Sequence, residues 1–199
     1  MSDIMALDIE TGNYSWEIGG WDKTASFEPT VVATWNGNDG TVYCNKSLDI
    51  DATVKELHPR TLGEDLAKHV AGGGVVIGHN IKGFDLPVLR DSLDMHYAGV
   101  LLQKDNESVC DTSWEVRSAC GKSHRLDSLC KHTLGVGKEI MESADAPVAW
   151  REGRELDVMK YCIADCKLNY DLFQHGRKEG FVKGRNEETG IIDEYQIGW

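Results

Sequence analysis

Met5-Ala6-Leu7-Asp8-Ile9-Glu10-Thr11-Gly12-Asn13 is an apolar strand interrupted by two acids. Side chains alternate along a strand, so Asp8 and Glu10, two residues apart, point to the same side. Two carboxylates side by side repel, and a buried charge is costly without a partner, so such a pair usually persists where a cation offsets it. Oxygen ligands held rigidly suit Mg²⁺ or Mn²⁺. A plainer reading also fits this fragment, with Glu10 past the strand end in solvent and Asp8 capping a turn. Matching acids elsewhere in the chain must choose between the two.

Downstream, 13–28 has no clear period and reads as a loop or splayed hairpin containing Trp16 and Trp21. These indoles either stack on bases or pin the loop to the body. Thr30 to Trp35 and Thr41 to Cys44 are β-branched or aromatic runs joined by the glycine-containing turn 36–40, which completes an antiparallel meander with the first strand. Leu62, Leu66, Ala67 and Val70 recur at helical spacing, and Gly72-Gly73-Gly74 stops that helix. Val75-Val76-Ile77 follows as an apolar strand, reached through a helix and so parallel to its neighbour.

That strand runs into Gly78-His79-Asn80-Ile81-Lys82-Gly83-Phe84-Asp85-Leu86-Pro87. Asp85 is expected as an N-cap, with Pro87 in the tolerant first turn and the helix reaching about Met95. Val109 to Thr112 reads as a strand, with helices over 113–119 and 126–134. The final helix, about 155–174, places Val158, Tyr161, Leu168 and Leu172 on one stripe. Asp165 fills the missing place in that row, so a carboxylate interrupts an inward-facing apolar face. A hairpin is expected over 180–199, turning at 186–190.

At 199 residues the length favours one domain able to bury a core without disulfides. No apolar run approaches a membrane span and the N-terminus lacks a signal pattern, so a soluble, cytoplasmic protein without membrane contact is expected. The six cysteines show no CxxC spacing, and several lie in apolar periodic segments, which favours reduced core thiols over disulfides or zinc. The net charge of −12 argues against a general nucleic-acid coat, because sequence-independent phosphate binding runs on Lys and Arg. It leaves room for an enzyme that grips phosphates through metal ions.

Four acids therefore stand out: Asp8, Glu10, Asp85 and Asp165. With them the chain resembles the DEDD superfamily of 3′-5′ exonucleases. Asp8-Ile9-Glu10-Thr11 is similar to that family's first motif, His79-Asn80 with Phe84-Asp85 to its second, and Tyr161-Cys162-Ile163-Ala164-Asp165 to its third in the tyrosine (DEDDy) form. The glycines at 72–74, Asp85-Leu86-Pro87-Val88-Leu89 and Cys110-Asp111-Thr112 resemble in particular the exonuclease domains of phage family A DNA polymerases. No polymerase follows within the 199 residues.

The resemblance implies a ribonuclease H-like α/β fold, expected as a five-stranded mixed sheet flanked by helices. It implies two Mg²⁺ or Mn²⁺, the first held by Asp8, Glu10 and Asp165, the second by Asp8 with Asp85 through water. Tyr161 would orient the attacking water, since a phenol with a pKa near 10 is a poor base at neutral pH. Thr11, Asn80 and Phe84 are candidate substrate contacts. Asn80 equally fits a local turn and Phe84 the core. His79 reads as a packed histidine, and Asp111 as an N-cap. The cluster Lys122, His124, Arg125, Lys131 and His132 fits either an incoming strand or a solvated face.

The implied reaction releases nucleoside 5′-monophosphates from 3′ ends of single-stranded DNA, with RNA as the alternative and a replication or repair protein as a conceivable partner. A non-cleaving module that binds nucleic acid or a polymerase, and an endonuclease on the same metal site, are the rival classes.

Overall fold

A strand of mixed polarity sits at the centre of the molecule because its two faces are buried by different layers. The computed structural model describes residues 3–137, 140–186 and 189–199. β1 (Ile4–Thr11) pairs antiparallel with β2 (Pro29–Trp35), which pairs antiparallel with β3 (Gly40–Cys44). β4 (Thr53–Lys55) adds to β3 in parallel. After α1 (Pro59–Ala71) the chain returns as β5 (Val75–Gly78), parallel to β1. Helices α2 (Asp85–Ser92) and α3 (His96–Leu101) lead to β6 (Val109–Asp111), parallel to β5. The sheet order is β4-β3-β2-β1-β5-β6.

The mixed, helix-flanked sheet is therefore the expected architecture with six strands in place of five. The extra one, β4, has three residues and no apolar alternation of its own. Its strand geometry comes from its partner β3, not from local sequence.

Beyond the sheet come α4 (Thr112–Cys120), α5 (Leu126–Leu134), α6 (Ala146–Arg151) and α7 (Glu155–Glu179). The chain closes with a separate antiparallel pair, β7 (Phe181–Arg185) and β8 (Ile192–Gln196). The turn expected over 186–190 includes Glu187 and Glu188, which lie outside the described residues. No helix among the described residues is long and apolar enough to cross a membrane.

Alternation along β1 assigns its residues to two cores. Leu7 and Ile9 pack with Leu62, Leu66, Leu86 and Leu89 from α1 and α2. Ile4 and Ala6 pack on the opposite face with Val158, Tyr161, Cys162 and Cys166 of α7. Asp8 and Glu10 share parity with Ile4 and Ala6, so they emerge under α7. All six cysteines are free thiols.

Two helix boundaries differ from the sequence reading. Asp85 is the first helical residue of α2 and not its N-cap, and α2 stops at Ser92 because Asp94 adopts a left-handed φ of 54°. A non-glycine residue there cannot continue a helix, and α3 starts afresh at His96. In the other direction, α7 runs five residues past the expected end. Gly176 lies inside it because the Trp199 indole packs where a side chain would be: a Cβ on Gly176 would come within 2.6 Å of the ring. The indole Nε1–H donates to the Phe173 carbonyl at 2.9 Å.

Candidate metal centre

β1 delivers two acids and α7 a third. Carboxylate oxygens of Asp8, Glu10 and Asp165 lie within 4.8 Å of one another. Glu10 and Asp165 are only 9% and 5% exposed. Asp165 reaches the strand because it occupies the apolar stripe of α7 between Tyr161 and Leu172, both buried. The β1–β2 register shifts between Glu10 and Thr11, so the strand is bent just past its second acid.

The Cys162 thiol, one residue after Tyr161, donates to the Asp8 carbonyl at 3.4 Å and to Asp8 Oδ2 at 3.6 Å. The donor set for an ion is all oxygen and anionic, and rises from rigid elements. That chemistry fits a hard divalent cation and not zinc or copper. It answers the ambiguity of β1: Glu10 is not in solvent, and Asp8 does not cap a turn.

Tyr161, one helical turn before Asp165 on α7, lies within reach of the charges of the same cluster. Burial, with the Asp165 and Glu10 charges nearby, holds its phenol well above the ordinary tyrosine range. That shift favours the protonated phenol, which can donate a hydrogen bond. Its hydroxyl is 2.8 Å from Ser143 Oγ, in the short 143–145 turn before α6. Ser143 carries no motif, and nothing in the sequence marked it.

The fourth acid stands apart. Asp85 is 4% exposed and outside the three-carboxylate group. Parallel pairing of β1 with β5 ends at Ala6 and Ile77, and the Ile9 N–H beyond it is taken by the Asp85 carboxylate. Burial pushes Asp85 up to about 7, helped by the Asp111 charge and opposed by hydrogen bonds from its own N–H and that of Ile9.

Because the folded value lies above the unfolded one near 3.9, the folded protein holds an extra proton between the two. The stability that Asp85 contributes is therefore fully present below about pH 4 and is lost as pH rises towards 7. Asp85→Asn should flatten this fall in urea unfolding series run in EDTA. An unchanged slope would show that Asp85 is ionised throughout.

The remaining candidates lie around this centre. Thr11 Oγ1 donates to the Asn13 carbonyl at 2.9 Å, which fixes the loop after β1. Asn80 is exposed with a left-handed φ of 70°. Its side chain fills the space over Gly83, where a Cβ would lie 2.3 Å from Asn80 Oδ1. Phe84 is half-buried against Phe27 and Trp21, with centroids 5.1 and 5.5 Å away.

His79 is a packed histidine, with Nδ1 3.1 Å from Thr112 Oγ1 and Nε2 2.8 Å from the His124 carbonyl. In the basic cluster, Arg125 pairs with Glu142 at 3.1 Å and His124 packs on Tyr195.

Asp111 does more than the expected cap. Its carboxylate accepts from the Trp114 N–H at 3.1 Å and also from the N–H groups of Asn80 and Lys82, at 3.0 and 2.9 Å. One acid thus starts α4 and pins the turn that carries Asn80 and leads to Asp85.

The structure is a ribonuclease H-like α/β fold in which two acids on the central strand meet a third from α7. No protein-family profile matches the chain, and no curated protein does. Among solved structures it is similar to the family B DNA polymerase from the hyperthermophilic archaeon Pyrobaculum calidifontis, with a TM-score of 0.62 and 16% identity over 89% of this chain. The match takes in 25% of that polymerase, so this chain spans about a quarter of its length. At that identity the likeness is one of fold.

Proposed function

We propose that the chain is a metal-dependent 3′-5′ exonuclease of the DEDDy type that removes nucleotides from single-stranded DNA ends. The observation that carries this reading is the convergence of Asp8, Glu10 and Asp165, with Tyr161 one helical turn before Asp165 on the same helix. The likeness in fold to a DNA polymerase supports a role on nucleic acid.

Asp8, Glu10 and Asp165 would hold a first Mg²⁺ or Mn²⁺, and Asp8, with Asp85 through water, a second. Bound divalent ions supply Lewis-acid stabilisation of the phosphodiester and make water a competent nucleophile near neutral pH. Tyr161 would donate a hydrogen bond that orients the attacking water towards phosphorus. Water oxygen bonds to phosphorus and gives up a proton to solvent, the bond to the preceding 3′ oxygen breaks, and the freed 3′ oxygen takes up a proton from solvent. A nucleoside 5′-monophosphate leaves. Ser143 Oγ, 2.8 Å from the phenol oxygen, holds the phenol in place.

Oligonucleotides labelled at the 5′ or the 3′ end, as DNA and as RNA, with Mg²⁺, Mn²⁺ or EDTA, test the proposal. Stepwise shortening of 5′-labelled DNA that stops in EDTA is the expected result. Preference for RNA would make the enzyme an exoribonuclease. One internal cut would make it an endonuclease, and binding without product would leave a non-cleaving module.

A further inference from the structure

Two tryptophans on the loop after β1 are exposed to an extent that packing does not explain. Trp16 is 71% and Trp21 68% exposed. The loop beneath them is well fastened: Gly12 N–H donates to the Glu28 carbonyl at 2.8 Å, and Asn13 bonds Ser26 and Glu28 with its side chain. The indoles are therefore not needed to pin it.

Trp16 lies flat on Tyr14, centroids 4.0 Å apart and planes 14° apart, and that Tyr14 hydroxyl donates to the Ala144 carbonyl, next to the serine that contacts Tyr161. Trp21 leans on Phe27 and Phe84, and Phe84 immediately precedes Asp85. Each open ring is thus rooted in a segment that leads towards the centre, one through Ser143 to Tyr161 and one through Phe84 to the first residue of α2, Asp85.

We propose that Trp16 and Trp21 are stacking platforms for the bases of single-stranded DNA, one connected through Tyr14 and the 143–145 turn to Tyr161 and one through Phe84 to the start of α2. This rests on the exonuclease reading for its substrate class but not for its chemistry. The charge of the chain supports stacking over phosphate contacts. Net charge is −12, and the cations close to the two rings are already paired, Lys23 with Asp22 and Arg151 with Glu17. Counterion release therefore gives little affinity here, whereas a ring face accepts any base without a cation.

The test is binding of a short 5′-fluorescent oligo-dT to the full chain in EDTA, where metal-dependent cleavage cannot occur. Trp16→Ala and Trp21→Ala should each weaken binding on the order of 10-fold. Trp→Phe at either position should retain most of the affinity, and raising NaCl from about 50 to 200 mM should change it only a few-fold. Both alanine variants should melt like the parent, since the side chains are exposed.

Alanine variants that bind as the parent does, a parent that does not bind oligo-dT, or equal affinity for duplex, whose bases are already stacked, would overturn the proposal. A chain that binds through these rings yet never cleaves with Mg²⁺ or Mn²⁺ would instead overturn the nuclease reading alone.

Discussion

Asp165→Ala lowers cleavage of single-stranded DNA by on the order of 10³-fold or more, the scale on which loss of one preorganised charge-stabilising group acts, while the fold remains intact. The effect is large because Asp165 is the helical member of a three-carboxylate group whose other two members come from one strand. Without it, two acids on β1 remain to hold an ion from one side only. The stability outcome separates this from a packing defect. The three carboxylates crowd negative charge within 4.8 Å, so removal of one relieves repulsion in the metal-free protein. Melting in EDTA should be unchanged or raised, and the stabilisation that Mg²⁺ or Mn²⁺ gives the parent should be lost. Purified Asp165→Ala protein that turns over like the parent would remove the acid centre from the chemistry.

Tyr161→Phe is the second large effect. The substitution keeps the ring in its buried slot and deletes one hydroxyl, which lies 2.8 Å from Ser143 Oγ. If that hydroxyl orients the attacking water, kcat falls by about 10²-fold, while KM and the metal concentration at half-maximal rate stay near those of the parent. The phenol is held too high to ionise near neutral pH, so the pH dependence of the residual rate should keep its shape. A changed profile would make Tyr161 a base. Unchanged kcat would leave the hydroxyl as a packing contact with Ser143.

Much of this site could be seen in the chain because its chemistry conflicts with its surroundings. Acids in β1 and in the inner stripe of α7 break apolar periodicity, and periodicity is what a single sequence displays most clearly. The β1–β2–β3 meander and the parallel return at β5 were legible for the same reason, along with the packed state of His79.

What escaped notice depends on long-range pairing. β4 is a strand only through β3, and Ser143 meets Tyr161 across eighteen residues through a turn with no motif. Asp111 gave the signal of an N-cap, but its hold on Asn80 and Lys82 spans about thirty positions and follows from β5 and β6 lying side by side. Asp85 shows the limit within a motif. Its spacing predicts a helix N-cap, yet only the structure reveals that it is the first residue of α2, that its carboxylate takes the Ile9 N–H and that it lies outside the three-carboxylate group.

The most direct measurement is calorimetric titration of Mn²⁺ into the metal-free parent chain and into Asp8→Asn, which keeps the shape of the side chain but removes its charge. A saturable heat with the parent that is lost or greatly weakened in Asp8→Asn is the expected result. Equal binding by both proteins, or none by the parent, would contradict a divalent-cation centre built from Asp8, Glu10 and Asp165.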